Sequence, residues 1–469
     1  MNTPEPSFAS LALRPELLQR IQAMNYAQMT AVQAAALPAV LAGQDVVARA
    51  NTGSGKTAAF ALGCLQKLQN GQFHVQSLVL CPTRELAEQV ANSFRELAKH
   101  LANTKIITLC GGVAIGPQIG SLQHSAHVVV GTPGRVLKHL QKGTLHLHGL
   151  DTLVLDEADR MLDMGFADEL QAILDYLPSP RQNLLFSATY PDEVESVVAA
   201  LSPNAVRIDV TEAEQAPAIE EYWCHAASAR QRQERVSALA AGLQRWGGKL
   251  NLVFCNTKVD CAEVSGQLSR LGCNSVALHG DMEQADRTRT LIQFANGSAR
   301  VLVATDVAAR GLDIDNVDAV FNFELPHQAE VYVHRIGRTA RGGKNGVSLS
   351  LVADNEMNRL RGIEAERGSG PMRLWRADDE AGNSVGDALP EPDVYTLEIN
   401  GGRKHKLRPG DILGALTAGG ELDASAVGKI DILPMVSYVA IAKAQSGKAQ
   451  ALINRGKIKG RQYRVRGLG

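Results

Sequence analysis

Short apolar runs alternate with amphipathic stretches through two long segments of the chain. Buried strands are predicted at Asp45–Ala50, Ser77–Pro82, His127–Pro133, Thr152–Asp159 and Asn183–Thr189, and then at Asn251–Asn256, Ser275–Gly280, Val301–Asp306 and Ala319–Glu324. Helical patterns such as Glu85–Leu101 and Phe166–Leu177 lie between them. This alternation predicts two parallel α/β sheets. Because ligands bind at the carboxyl ends of such strands, the polar residues that close them are placed for chemistry.

Two breaks in the alternation set the expected domain boundaries. With 469 residues, the chain is long enough for about three domains. The acidic stretch Thr211–Pro217 separates the two α/β segments, and Arg367–Asp393 is rich in Gly, Asp and Pro without periodicity. We predict α/β domains at 1–210 and 218–366, a linker at 367–392 and a small α+β domain at 393–469.

The charge is unevenly distributed along the chain. From Glu391 to the end there are 13 Lys and Arg against seven Asp and Glu, which leaves the rest of the chain at net −7. A basic tail on an acidic body suggests a polyanionic partner for the tail. On charge alone, a solvated basic surface remains an equal alternative.

Several classes of protein are disfavoured by composition. The sequence contains no run of about 18 apolar residues, so we expect no membrane span. The first residues do not resemble a secretion signal. Seven scattered Cys without a Cys-x-x-Cys pair argue against a disulfide framework or structural zinc. We therefore expect a cytoplasmic protein.

The segment Ala50–Thr57 follows a predicted strand and opens a helical pattern. It matches a phosphate-binding loop except that Ala50 stands at the first Gly position. Backbone N–H groups of this loop can bind phosphates, with Lys56 at the β- and γ-phosphates and Thr57 on Mg²⁺. A Gly-rich turn with a surface Lys is the alternative, which the strand–loop–helix context disfavours. The predicted nucleotide-binding residues here are Thr52, Gly53, Ser54, Gly55, Lys56 and Thr57.

Two adjacent acids, Asp156 and Glu157, close a buried strand. Such a pair suits a carboxylate that holds Mg²⁺ through its water shell and a base that activates the attacking water. Alone, the pair could equally be a helix N-cap. The phosphate loop upstream favours catalysis.

A short basic segment contains Arg335, Arg338 and Arg341. An Arg from another domain can stabilise the charge that builds on a transferred phosphoryl group. A basic face for RNA or for surface ion pairs is the alternative.

From about Phe8 to Arg341 these motifs resemble, in order and spacing, the DEAD-box RNA helicase family. The motif Asp156-Glu157-Ala158-Asp159 gives that family its name. The resemblance implies two RecA-like domains, with ATP and Mg²⁺ as ligands. It assigns adenine to Phe8 and Gln33, although Ala31 stands where the family usually has Pro.

Other roles also follow from the resemblance. It assigns the nucleotide ribose to Asp313, and arginine fingers to Arg338 and Arg341. It places Ser187, Thr189, Asp159, His334 and Arg335 among the residues that couple hydrolysis to domain closure. It gives RNA contacts to Pro82, Thr83, Arg84, Gly111, Gly112, Thr132, Pro133, Gly134, Arg135, Gln284, Arg287 and Thr305.

The tail has a predicted β–α–β–β–α–β order, which suggests an RRM-like domain. Its strand segment Met435–Lys443 has a single aromatic, Tyr438, whereas RRM strands stack bases on several. We therefore expect RNA to be held by basic loops. The candidate contacts are Arg403, Lys404, Lys406, Arg408, Lys457, Lys459 and Arg461. The tail resembles that of a bacterial branch of the family, which implies binding to a 23S ribosomal RNA hairpin in the peptidyl-transferase region and a role with large-subunit precursor particles.

An ATP-dependent RNA helicase is the predicted function, acting as a monomer without a membrane partner. An ATP-gated clamp that grips RNA without unwinding is one alternative. A general RNA helicase with a nonspecific basic tail is another. A DNA translocase is disfavoured because the motifs follow the RNA family.

Overall fold

The computed structural model describes residues 6–50, 53–210, 219–226, 232–309, 317–340, 345–367, 370–376 and 391–468. These residues form two compact units, one up to residue 210 and one from residue 219 onward. Thr52, Asp313 and Arg341 lie outside the described residues.

The first unit is built on a seven-stranded parallel sheet. Its strands are β1 Val46–Arg49, β2 Ser77–Leu80, β3 Ile106–Leu109, β4 Val128–Gly131, β5 Thr152–Asp156, β6 Gln182–Ser187 and β7 Val206–Asp209. Its helices are α1 Pro15–Ala23, α2 Ala31–Leu41, α3 Lys56–Lys67, α4 Arg84–Leu97, α5 Ile115–Leu122, α6 Pro133–Gln141, α7 Ala158–Asp163, α8 Ala167–Leu174 and α9 Asp192–Leu201.

The strand order is β3-β4-β2-β5-β6-β1-β7, and each strand sends alternate side chains into a different core. On β6, Phe186 packs with Phe60 and Phe94 in one cluster, whereas Leu185 packs with Met161 in the other. With both faces covered, nearly every residue of the central strands is buried.

The second unit repeats this architecture. Its parallel strands are β8 Ile219–His225, β9 Asn251–Cys255, β10 Ser275–Leu278, β11 Val301–Thr305, β12 Ala319–Asn322, β13 Gly346–Val352 and β14 Arg373–Leu374, in the order β10-β11-β9-β12-β13-β8-β14. Its helices are α10 Arg232–Trp246, α11 Lys258–Arg270, α12 Gln284–Ala295, α13 Asp306–Ala309, α14 Ala329–Ile336 and α15 Met357–Arg367. The strand β14 falls in the segment expected to be a linker, and Trp375 after it packs against Trp246.

A four-stranded antiparallel sheet completes the second unit. We call residues 393–468 the C-terminal module. Its elements are β15 Val394–Ile399, α16 Pro409–Thr417, β16 Val427–Ile432, β17 Ser437–Ala442, α17 Ser446–Arg455 and β18 Val465–Leu468. The order β16-β17-β15-β18 puts the first and third strands in the centre, which confirms the predicted β–α–β–β–α–β fold.

Candidate functional site

The phosphate loop lies between β1 and α3, at the carboxyl edge of the first sheet. Gly55 caps α3 in the left-handed region, with φ +95°, and a Cβ there would lie 2.5 Å from the Gln33 amide nitrogen. Only glycine fits that position without displacing Gln33. Lys56 is buried, and its Nζ donates to the Ala50 carbonyl at 2.9 Å. The ammonium group is thus held across the loop that is expected to bind phosphates.

Gln33 connects this loop to the first turn of α2. Thr30 and Gln33 form a capping box, in which the Gln33 Oε1 accepts from the Thr30 N–H at 3.0 Å. Its Nε2 donates to the Gly55 carbonyl at 3.1 Å. The box explains how α2 begins with Ala31 in place of Pro, because Thr30 supplies the cap.

The predicted adenine-stacking ring, Phe8, is only 3% exposed and packs in the core beside Tyr26. Tyr26 is 41% exposed, with its ring stacked 6.5 Å from that of Phe8. The accessible aromatic surface of this pair is therefore on Tyr26, which begins the segment that resembles the adenine-reading motif but was not predicted as the stacking ring.

Asp156 and Glu157 lie where β5 passes into α7. Burial raises the pKa of Asp156 to about 7, although the nearby Lys56 ammonium acts in the opposite direction. Glu157 has a left-handed backbone, φ 54° and ψ 54°, and its side chain makes no capping hydrogen bond. A non-glycine residue in this region is uncommon. Glu157 therefore stands at the N-cap position of α7 without making the side-chain hydrogen bond by which a residue caps a helix.

Arg160 is a residue that sequence reasoning missed. Its Nη1 donates to the Glu157 Oε2 at 2.9 Å, and both side chains are about 6% exposed. It follows Glu157 by three residues, so one turn of α7 brings them together. That spacing was the available signal.

Asp159 joins α7 to the end of β6. Its Oδ2 accepts from the Thr189 N–H at 2.9 Å and from the Thr189 hydroxyl at 2.7 Å, and its own N–H donates to the Ser187 Oγ. Burial would raise the pKa of Asp159, but the hydrogen bonds from Thr189 and Ser187 outweigh it and lower the pKa. The structure thus brings three of the predicted coupling residues together.

The predicted RNA contacts of the first unit lie in the loops that follow β2, β3 and β4 and at the starts of the helices after β2 and β4. Gly112 has φ +73°, a backbone conformation that favours glycine, and a Cβ there would also displace the Arg84 guanidinium. Arg135 donates to the Gln118 Oε1 at 2.7 Å and to the Val113 carbonyl at 2.8 Å. Gln118, which no motif indicated, therefore helps to fix Arg135.

Thr83 and Thr132 are the N-cap residues of α4 and α6.

In the second unit, Arg335 crosses the carboxyl edge of the sheet. It forms two 2.7 Å bonds with the carboxylate of Asp306 and also donates to Asn256 and Asn322, at the ends of β9 and β12. It is 1% exposed, and its guanidinium links the ends of these strands. Arg338 is also buried, just after α14. Thr305 ends β11, and Gln284 and Arg287 lie in the first turn of α12.

Two basic loops of the C-terminal module are joined to each other. The Lys459 Nζ donates to the Lys406 carbonyl at 2.8 Å and pairs with Asp411 at 2.9 Å. This hydrogen bond with Lys459 lowers the pKa of Asp411. Lys459 is thus engaged within the module. Among the predicted RNA contacts of the module, Arg403, Lys404, Lys406, Lys457 and Arg461 have exposed side chains without a hydrogen bond or ion pair to another described residue.

Family models match the chain in three places. A DEAD/DEAH box helicase model covers residues 30–197, a helicase conserved C-terminal domain covers 233–343 and a DbpA RNA binding domain covers 396–467. The chain belongs to the DEAD-box RNA helicase family. The predicted helicase fold and ATP-dependent RNA helicase activity are confirmed by these matches and by the relatives below.

Two DEAD-box relatives extend over nearly the whole chain. The ATP-dependent RNA helicase DbpA of Escherichia coli K12 is 48% identical over 98% of this chain and 99% of its own length. The DbpA of Bacillus subtilis 168 is 34% identical over 98% of both chains. These matches confirm the resemblance noted for the tail.

A solved structure shares the fold of the helicase units. Dbp5 of S. cerevisiae, bound to RNA and ADP BeF3, has a TM-score of 0.72 and 33% identity, covering 82% of this chain and all of that one. Within the described part of the chain, no helix has the length and apolar character to cross a membrane. All seven cysteines lie among the described residues, where they are buried and form no disulfide bond.

Proposed function

We propose that the first unit hydrolyses ATP through the residues gathered at its sheet edge. Lys56 binds the β- and γ-phosphates, Gln33 reads adenine while it holds the loop at Gly55, and Glu157 accepts a proton from the attacking water. The buried ion pair with Arg160 fixes the Glu157 carboxylate. A base must be positioned before its protonation state matters, so Arg160 acts as a positioning residue.

Mg²⁺ fits the donors present. Thr57 offers a hydroxyl and Asp156 a carboxylate, which are the hard oxygen ligands that Mg²⁺ prefers alongside phosphates and water. The buried Asp156 carboxylate has a raised pKa, and a cation beside it would favour its charged form. Among the described residues, no group of three or more His, Cys, Asp or Glu is arranged so that it could hold a metal ion by itself. When bound, Mg²⁺ would neutralise charge on the phosphates.

In this proposal, RNA and ATP each bind more tightly when the two helicase domains are closed on each other. Shared preference for one state makes their binding reciprocally cooperative. Arg338 and Arg341 then stabilise the γ-phosphoryl group, with Asp313 at the ribose. The Asp159–Thr189 hydrogen bonds couple ATP hydrolysis near Glu157 to the position of the end of β6. Local strand separation follows, and hydrolysis releases the RNA.

The C-terminal module targets this activity to 23S ribosomal RNA. The observation that supports this proposal is the set of exposed Lys and Arg side chains in the basic loops, which are unpaired among the described residues. These loops belong to a module that matches the DbpA RNA binding domain. Phosphate contacts carry no sequence information, so recognition rests on the shape of a hairpin. The protein then works in the cytoplasm as a monomer on large-subunit precursor particles.

Steady-state ATPase activity with three RNAs tests this targeting. Poly(U), messenger-like RNA and a 23S fragment with the peptidyl-transferase hairpins are compared at equal nucleotide concentration and fixed salt. The test variant replaces Arg403, Lys404, Lys457 and Arg461 with Ala, and the control replaces Lys429, Lys443, Lys448 and Arg455. The proposal expects the 23S fragment to stimulate most, and only the test variant to lose that excess. Equal stimulation by all three RNAs would leave a general helicase with a nonspecific tail, and binding without turnover would leave an ATP-gated clamp.

A further inference from the structure

One face of the C-terminal sheet is covered, although the module's own two helices cover only the other. Leu397 and Val439 point into the module's core. The strand residues that alternate with them, Thr396, Tyr438 and Ala440, are at most 4% exposed. In RRM-like domains this second face is the one on which RNA bases stack. Its burial means that another part of the protein occupies it.

The covering element is the end of α12 in the second helicase domain, which belongs to the same unit. The Ser298 and Thr396 hydroxyl oxygens are 2.7 Å apart, and the Asn296 Nδ2 donates to Thr396 at 3.3 Å. Since the Ser298 hydroxyl donates to the Gln293 carbonyl, Thr396 is the donor to Ser298. Both side chains are at most 2% exposed. A buried hydroxyl needs such partners.

A charged contact lies beside the hydroxyl pair. The Arg289 Nε donates to the Glu398 Oε2 at 3.0 Å, while Arg466 of β18 pairs with the other carboxylate oxygen at 2.7 Å. Burial would raise the pKa of Glu398, but the two guanidinium groups lower it. Burial also raises the pKa of Tyr438, which pairs with Glu398 across the sheet, to about 12.

The same helix carries predicted RNA contacts at its other end. Gln284 and Arg287 lie in the first turn of α12, and Arg289 and Asn296 reach the module. An α-helix rises 1.5 Å per residue, so roughly 14 Å of rigid backbone separates Arg287 from Asn296. The module is thus attached to the helix that carries these predicted RNA contacts.

We propose that the sheet face of the C-terminal module is an intramolecular docking surface for α12 and the loop after it, and that it stays docked while the enzyme works. The sheet then binds no RNA bases. RNA held by the basic loops, as proposed above, reaches the helicase from one fixed direction set by α12. The competing arrangement is a module that swings away and opens its sheet to RNA.

A cysteine pair at Ser298 and Thr396 tests the docking. The two oxygens are already close enough for sulfurs to bond at about 2.05 Å with small adjustment, and the native cysteines are all buried. In S298C/T396C, mild oxidation without RNA should link the pair. The oxidised enzyme should keep RNA-stimulated ATPase and unwinding within about twofold of the same sample after reduction. The single variants S298C and T396C control for oxidation itself.

Two results would overturn the proposal. Failure of a folded S298C/T396C chain to cross-link would show that the face is not docked in solution. Loss of RNA binding or unwinding on oxidation, restored by reduction, would show that the module must open. Cross-linking is scored without RNA, so it remains informative even if the 23S fragment proves no better than poly(U), which would defeat only the targeting.

Substitution of Arg289 provides a second test of docking if the S298C/T396C protein does not fold. Arg289→Glu places like charges at Glu398, whereas Arg270→Glu makes the same change on the exposed end of α11. Arg289→Glu should lower unwinding of a duplex beside the hairpin at least fivefold and leave hairpin affinity unchanged. Arg289→Lys should restore unwinding, and Arg270→Glu should behave as wild type. Equal unwinding by all three variants would contradict the docking.

Discussion

The nucleotide site of the first unit and the basic loops of the C-terminal module hold their functional side chains in opposite ways. Lys56, Glu157 and Asp159 are buried, and each is bound by another protein group. Arg403 and Lys457 are exposed and unpaired among the described residues. Catalysis needs fixed geometry before the substrate arrives, whereas phosphate binding gains from charges that remain available to the ligand. The difference separates residues that act by position from residues that act by charge.

The largest effect is expected at Glu157, the proposed catalytic base. Glu157→Gln removes the proton acceptor but keeps the shape of the site, so kcat should fall by about 1,000-fold, within the range for loss of general-base catalysis. ATP and RNA binding should persist, as measured by fluorescent nucleotide titration. Near-normal turnover would show that another residue accepts the proton.

A smaller fall in kcat is expected on substitution of Arg160, which is proposed to position this base. Arg160→Met leaves Glu157 unpaired, and a misplaced catalytic group costs about 10-fold to 100-fold. The loss should appear in kcat, with KM for ATP nearly unchanged, and Arg160→Lys should recover part of it. An equal loss with Lys and Met would indicate a purely structural role for the guanidinium.

Thr189→Ala tests whether the contact between α7 and β6 couples hydrolysis to unwinding. It removes a hydroxyl bond to a charged carboxylate, which is worth about 1.5–3 kcal/mol. Duplex unwinding should fall roughly tenfold or more while ATPase falls less, and Thr189→Ser should behave as wild type. A parallel fall in both activities would place Thr189 in the chemical step instead.

The RNA affinity of the basic loops should depend on salt concentration and on the number of positive charges more than on the exact shape of each side chain. Removing one side chain that binds a phosphate should reduce the slope of log affinity against log salt by about 0.7 for single-stranded RNA. Arg403→Lys should therefore be nearly silent, whereas Arg403→Ala should flatten the slope. A Lys substitution as damaging as Ala would mean that Arg403 makes a geometric contact, as the nucleotide-site residues do.

The smallest effect concerns pH at the docked face. The folded-state pKa of Glu398 is lowered, so its contribution to docking is present above its unfolded pKa, near 4.5, and is lost as pH falls through the folded value. The groups facing it are Arg289 of α12, Arg466 of β18 and Tyr438 of β17. Docking, followed by energy transfer between a dye on α11 and a dye on the module, should weaken as the pH falls below 4.5. With Glu398→Gln added, that acid response should disappear; its persistence would point to another group.

Motifs predicted the fold and the nucleotide site because their residues obey local rules. A strand, a Gly-rich loop and a helix in succession leave few arrangements for Lys56, and the DEAD motif fixes Glu157 at a strand end. Edge strands such as β7 were missed because their residues are only half-buried and lack a continuous apolar run. The central strand β13 was also missed, since its Ser348 and Ser350 interrupt the apolar pattern although both are fully buried.

Contacts between distant elements could not be predicted in the same way. Gln118 reaches Arg135 across 17 residues, and Thr396 meets Ser298 across 98. Neither pair has a spacing rule, because tertiary packing alone brings them together. The burial of Phe8 behind Tyr26 is of the same kind, since the sequence indicates aromatic residues but not which ring remains accessible.

The proposed function requires that basic side chains of the C-terminal module direct the ATPase to one RNA shape. The most direct measurement is the RNA concentration that gives half-maximal ATPase stimulation, for a 23S hairpin fragment and for an RNA of the same length and composition that cannot form the hairpin. We expect the hairpin to need at least tenfold less RNA, and Ala at Arg403, Lys404, Lys457 and Arg461 to remove the difference. Equal concentrations for the two RNAs with the wild-type protein would show that the module does not recognise the hairpin's shape.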